Sequence, residues 1–131
     1  MPAVKKDLYV EQGATYRLTV QWMDLHEEDP DGTPTPINIT GYKARLQIRK
    51  AQQTPALLSA TTETGEFTVD GPTGTVKLVL SATQTNTLNQ RALKYDLEAL
   101  SPTGEVDRLL EGAVTVSPNI TQVEGEPVVA G

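Results

Sequence analysis

The sequence predicts a single all-β domain, an antiparallel β-sandwich of immunoglobulin-like shape, from two observations. The first is alternation. From Thr15 to Trp22 every second residue is large and apolar (Tyr16, Leu18, Val20, Trp22), with Thr15, Arg17, Thr19 and Gln21 between them. That is the period of a strand with one wet face and one buried face. It returns in Tyr42, Ala44, Leu46 and Ile48, in Phe67 and Val69, in Val76, Leu78 and Leu80, and in Leu110, Gly112, Val114 and Val116. The second is spacing: turn signals separate about seven or eight such strands at the interval usual for a sandwich or barrel. Half-buried strands must pack back to back or close into a barrel, and the strand list alone leaves the small barrel open as the alternative.

Each element has its own reason. Residues 1–7 carry a proline and three charges and read as an N-terminal arm. Leu8 to Val10 can form a short strand before Gly13, and a second strand runs from about Ala14 to Leu25. The stretch His26 to Pro36 contains three prolines and Asp31-Gly32, and cannot be strand or helix interior. Tyr42 to Lys50 is the third strand and Leu57 to Thr62 a weaker one. Glu66–Val69 and Gly74–Leu80 pair around Asp70-Gly71-Pro72-Thr73. Ser81-Ala82-Thr83-Gln84 has the spacing of a capping box, which predicts a short helix over 82–89 with Leu88 turned inward. Leu93–Leu100 and Glu105–Val116 are the last strands, and Ser117-Pro118 ends the domain. The domain thus spans 8–118, and 119–131, with small residues and no period, is a C-terminal arm. The expected core is Tyr16, Leu18, Val20, Trp22, Tyr42, Leu46, Ile48, Val76, Leu78, Leu80, Tyr95, Leu97, Val114 and Val116.

Composition narrows the chemistry. The chain has 131 residues, the usual size of one domain, and no cysteine, which removes disulfides and cysteine-based zinc sites. A net charge of −6 argues against general attraction to nucleic acid or to an anionic membrane. No apolar run approaches the roughly 20 residues of a membrane helix. The amino terminus lacks the apolar core of a secretory signal, so the chain is expected to fold in a cytoplasm.

Candidate sites are few. His26 is the only histidine and opens an acidic, proline-rich loop, where solvation explains it better than general-base work. Asp24, Glu27, Glu28, Asp29 and Asp31 form a dense acidic cluster, but Pro30 and the missing closing glutamate break the calcium-loop pattern. Asn38-Ile39-Thr40 and Asn119-Ile120-Thr121 match the glycosylation pattern, which carries no weight without a secretion signal. No catalytic residue, cofactor site or metal site is expected. Arg17, Lys43, Arg45 and Arg49, with Lys50 beside them, are expected on outward strand faces. They suit an acidic protein neighbour, including another copy of this chain's own acidic loop; no aromatics interleave to stack bases. Lys43, Arg45 and Arg49, together with Pro118, Ile120, Val123 and Val128 of the C-terminal arm, are therefore the expected partner-binding residues.

Six stretches, in order, carry a resemblance: Val10–Tyr16, Ile39–Arg49, Leu80–Thr83, Tyr95–Glu98, Arg108–Gly112 and Val114–Pro118. Over roughly residues 8–121 they resemble small structural proteins of tailed bacteriophages, similar to the amino-terminal domain of phage baseplate upper proteins. The chain departs from that pattern at Ile37-Asn38-Ile39, where an aspartate-leucine pair is more usual, and in its longer acidic loop. The resemblance implies a β-sandwich virion component of tail or baseplate without enzymatic activity, assembled in the host cytoplasm. Its implied partners are other phage structural proteins, with self-association in a symmetric ring as one form. A capsid decoration protein is the alternative in the same class, and a carbohydrate- or ligand-binding sandwich module the alternative in another. Neither nucleic acid, membrane nor small-molecule substrate is expected as a partner. Since the acidic loop lacks fixed ligand spacing, adding calcium or a chelator should leave the melting temperature unchanged, and a shift of several degrees would overturn this.

Overall fold

The computed structural model describes residues 3–24, 32–89 and 92–118. Its elements are β1 (Val4–Lys5), β2 (Leu8–Glu11), β3 (Tyr16–Gln21), β4 (Met23–Asp24), β5 (Thr35–Pro36), β6 (Lys43–Arg49), β7 (Ala56–Thr61), β8 (Phe67–Asp70), β9 (Thr75–Leu80), α1 (Ala82–Asn86), β10 (Ala92–Leu100) and β11 (Val106–Ser117). The larger sheet runs β1–β11–β10–β6–β7, with β2 also on β11; the smaller runs β3–β9–β8, and β4–β5 form a separate ribbon. One apolar cluster joins Leu46, Ile48, Tyr95 and Leu97 of the larger sheet to Phe67, Val76, Leu78 and Leu80 of the smaller. The fold is therefore a sandwich of two open sheets rather than a barrel. Its strand order matches the immunoglobulin-like plan, in which second, fifth and fourth strands face a third–sixth–seventh sheet.

The expected core holds along the larger sheet and along β9. Leu46, Ile48, Val76, Leu78, Leu80, Tyr95, Leu97, Val114 and Val116 are buried. Tyr16, Leu18, Val20, Trp22 and Tyr42 are only half-buried, packed against that core. The reason is position: β3 is an edge strand of a three-stranded sheet and has a hydrogen-bonded neighbour, β9, on one side only. Trp22 lies past the end of β3 and stands edge-on to Tyr42, with ring centroids 6.3 Å apart. The predicted strand over 14–25 stops at Gln21, because Trp22 turns to bond the Gly74 and Ile37 backbones instead of continuing the ladder. Thr35–Pro36, expected to be irregular, form a two-residue strand opposite Asp24 and Met23. Proline fits there because so short an edge strand needs few donors.

The capping box is present: the Ser81 hydroxyl accepts from Gln84 N and the Gln84 side chain accepts from Ser81 N. The helix is shorter than expected, ending at Asn86, and Leu88 drops fully into the core just beyond it. Thr85 on its inner side is buried and ties the β2–β3 turn, accepting from Gly13 N at 3.1 Å and donating to Ala14 O at 2.8 Å. Gly13 takes φ +82°, a conformation glycine adopts without a Cβ penalty.

The expected N-terminal arm is largely part of the sheet. β1 and β2 run parallel to β11 in one unbroken register, Val4 opposite Leu110 and Leu8 opposite Val114. Between them the Lys6 carbonyl accepts the Tyr95 hydroxyl at 2.6 Å, and the Asp7 carboxylate accepts Ala113 N at 3.1 Å. A Cβ on Gly112 would stand 2.4 Å from the Lys6 oxygen, so only glycine lets the segment lie this close. Burial, with Tyr16 and Asp7 nearby, pushes the Tyr95 phenol up to about 12, which keeps its proton in place. A raised folded value contributes stability that is complete below the unfolded pKa of about 10 and is lost as pH rises through 12. Tyr95→Phe should therefore cost about 1 kcal/mol at neutral pH. It should also flatten the fall in melting temperature above pH ~10, and an unchanged alkaline profile would refute the assignment.

Candidate functional site

With Ala44, Leu46 and Ile48 turned inward on β6, Lys43, Arg45, Gln47 and Arg49 turn outward. The same period on β10 buries Leu93, Tyr95, Leu97 and Ala99 and sends Lys94, Asp96 and Glu98 out. On β11 the register against β10 shifts so that Glu98 faces Arg108 and Leu97 faces Leu110, leaving Leu109 as an extra residue. This bulge buries Leu109 and Leu110 together and puts Arg108 on the same outer face as Glu111. Strict alternation from Leu110 would have turned Arg108 inward.

The outer face is thus a set of cross-strand rows. In the first, Arg45 lies opposite Glu98, which lies opposite Arg108. In the second, Gln47 lies opposite Asp96, and Asp96 opposite Glu111. In the third, Arg49 lies opposite Lys94, and Lys94 opposite Ala113. Arg45 pairs with Glu98 at 2.8 Å, and Lys43 with Glu63 at 2.7 Å. Arg108 reaches both Asp96, at 3.6 Å, and Glu111, at 3.4 Å. The Arg49 guanidinium is held by the Thr54 carbonyl and the Gln47 side chain. Glu98 and Arg108 of the first row and all of the second and third rows line a shallow groove of about 620 Å³, rimmed by Lys5 on one side and Ala51 and Gln52 on the other.

Electrostatics follow from the rows. The bond from Lys43 holds the Glu63 carboxyl below its ordinary range. Asp96 goes the other way: partial burial and then the Glu98 charge raise it, and the neighbouring Arg108, Arg49 and Arg45 offset this only in part. Like charges directly opposite on adjacent strands are unfavourable, and both Asp96–Glu111 and Arg49–Lys94 are such pairs. Arg108 bridges the acidic one.

The basic face expected from Lys43, Arg45 and Arg49 is therefore a face of mixed charge. β10 inserts itself between β6 and β11 and supplies the carboxylates that engage Arg45 and Arg108. Arg17 is exposed on β3, in the smaller sheet, and does not join the groove; Lys50 is exposed in the turn after β6. Pro118 is exposed at the end of β11. Ile120, Val123 and Val128, and His26 with Glu27 to Asp31, lie outside the described residues. Lys94, Asp96, Glu98, Arg108 and Glu111 were not singled out as site residues from the sequence. The alternation Lys94-Asp96-Glu98 around Tyr95 and Leu97 was signal enough for three of them, whereas Arg108 needs the bulge. Among the described residues, no group of three or more His, Cys, Asp or Glu side chains is placed to hold a metal ion.

Because the folded protein holds the Asp96 proton more tightly than the unfolded chain, stability should fall as pH rises from the unfolded value of about 4 through the raised one. Asp96→Asn should then raise the melting temperature at neutral pH and change it little below pH ~3.5. A loss at neutral pH would mean that the bond to Arg108 outweighs burial.

A comparison with curated proteins returns no match. A family model described as an LtfC-like β-sandwich domain matches residues 2–117, from the first strand of the larger sheet to the last residue of β11. Both sheets, the capped helix and the Tyr95–Gly112 contact fall inside that match, and the chain belongs to the family of LtfC-like β-sandwich domains.

Proposed function

We propose that this chain is a non-enzymatic structural component of a tailed-phage virion, built into the tail or baseplate. In this reading it is assembled in the host cytoplasm and holds other structural proteins through its sheet faces and C-terminal segment. The observation that carries the reading is the family match over 2–117, taken with the ordered phage-like stretches inside it. LtfC itself is a phage tail fibre-related protein. Those stretches work as architecture: Gly13 makes the first turn and bonds Thr85 of the helix, Ser81 caps that helix, and Tyr95 and Gly112 seat the first strand. The mixed-charge groove suits a protein neighbour, because alternating charges in rows select a register more than they add affinity.

The test is to purify particles of the phage that encodes the chain, separate heads from tails on a density gradient, and identify the proteins of each by mass spectrometry. The chain should travel with tails and, after tail disruption, with baseplate fractions. Recovery with heads alone would mean the capsid decoration role. Absence from particles, with binding to a glycan array, would mean the ligand-binding role and end the structural reading.

A further inference from the structure

We propose that two copies of this chain pair edge to edge along β3, each giving the other's smaller sheet the strand it lacks on that side. The contact is separate from the sheet faces and C-terminal segment named above and does not rest on the virion role. The ladder shows which backbone groups are free. The Trp22 N–H donates to Gly74 O at 2.8 Å, and counting back by twos, Val20, Leu18 and Tyr16 also turn their polar groups to β9. Arg17, Thr19 and Gln21 turn theirs the other way, where β3 has no hydrogen-bonded strand. Among the described residues, nothing accepts from those three backbone N–H groups. The inner side is incomplete as well, since Tyr16, Leu18, Val20 and Trp22 pack against the core yet stay half-buried. The other open edges of the two sheets are blunted. β8 has four residues and ends on Asp70. β7 follows Pro55 and carries a bulge at Leu57, the residue left over between Leu58 and Ala56 in the register with β6. The β1–β2 edge carries Lys5, Lys6, Asp7 and Glu11. Short length, bulges and charge all discourage strand addition, and β3 has only Arg17.

The occupant is a second copy because the strand is its own complement. From either end, Tyr16-Arg17-Leu18-Thr19-Val20-Gln21-Trp22 reads aromatic, long polar, aliphatic, threonine, aliphatic, long polar, aromatic. An antiparallel mate presents that pattern reversed, so a two-fold axis at Thr19 sets each class against itself. Arg17 then faces Gln21 of the second copy and Thr19 faces Thr19, while on the inner side Leu18 comes beside Val20 and Tyr16 beside Trp22. Aromatic, aliphatic and Thr–Thr pairs are the favourable cross-strand ones. The free backbone groups fit the same register, with Arg17, Thr19 and Gln21 exchanging N–H···O bonds with Gln21, Thr19 and Arg17. An axis at Leu18 or Val20 would instead set Trp22 beside Ala14 or Tyr16 beside Asp24. The two Arg17 residues lie four positions apart along the pair, about 13 Å. That exceeds the screening length of about 10 Å at 0.1 M salt, so no like charges meet at the seam. The joined sheet runs β8–β9–β3–β3–β9–β8, and a two-fold contact of this kind is closed at the dimer.

The experiment places single cysteines in the full chain, which has none of its own. Directly opposed residues that exchange both bonds have Cα atoms about 5.5 Å apart, within the span of a disulfide. Thr19→Cys should therefore oxidise to a covalent dimer about tenfold or more faster than Thr68→Cys, whose exposed site on β8 at the far edge of the same sheet meets its mate only by collision. Arg17→Cys and Gln21→Cys should each link poorly alone and readily when mixed, because each faces the other across the axis. Sedimentation velocity of the parent over a concentration series should show a monomer–dimer equilibrium, and Thr19→Pro should abolish it. That proline removes an N–H pointing away from β9 and leaves the ladder whole. Thr68→Cys linking as fast as Thr19→Cys, no gain on mixing, or a parent monomeric at every concentration would overturn the proposal. So would slow hydrogen exchange at the Arg17, Thr19 and Gln21 amides of the monomer, since another part of the chain would then cover the edge. None of these readouts involves particles, so a failure here leaves the virion role standing.

Discussion

The register of β10 is the constraint on which both the core and the outer face depend. This strand sits between β6 and β11, and its period of two divides it without remainder. Leu93, Tyr95, Leu97 and Ala99 go into the core, and Lys94, Asp96 and Glu98 go to the groove. A slip of one residue would exchange the two sets, burying three charges and exposing four apolar side chains. The apolar set holds the strand in place, and the charged rows inherit their positions from it. The placement of the outer-face residues is therefore fixed by the core beneath it, although its own ion pairs are exposed and individually worth little.

The parallel first strand solves a second problem, the open edge of the larger sheet. An unpaired β11 would present a long row of donors and acceptors to any passing strand. β1 and β2 cover it, and the interruption between them is filled by side chains: Tyr95 supplies a donor for Lys6 O and Asp7 an acceptor for Ala113 N. Gly112 makes room for the crossing, and Tyr95 reaches it from the neighbouring strand, its backbone directly opposite. Two of the stretches that carry the phage-like resemblance, around Tyr95 and Gly112, thus have one physical task between them. They bind the beginning of the domain to its end.

The same topology sorts charge. Alternation decides which residues face water, but the order of strands decides which of those residues meet. Arg45 and Arg108 find carboxylates because β10 lies between their strands, and Arg49 and Lys94 meet each other for the same reason. The outcome is a domain that is acidic overall and of mixed charge along the middle of one face, with Arg49 and Lys94 side by side beyond it. Such a distribution suits a building block whose neighbours must arrive in a particular orientation, since an oriented field suppresses wrong approaches as well as favouring the right one.

The sequence by itself determined the fold class, most strand positions, the capping box and the inward faces of β6, β9 and β10, because periodicity is a local property and turns are marked by glycine, proline and aspartate. Head or tail position, partners and the lack of a catalytic role had no such local signature and are proposals. Tertiary structure alone decided four things. It left β3 half-buried, since edge position depends on which strand pairs with which. It turned the expected N-terminal arm into β1, because pairing with β11 compensates residues too polar to contribute to a core. It made the expected basic face a mixed one, since opposing charges come from β10, fifty residues away in the chain. It placed Arg108 outward, because a single extra residue at Leu109 reverses parity, and only the partner strand reveals where a bulge falls.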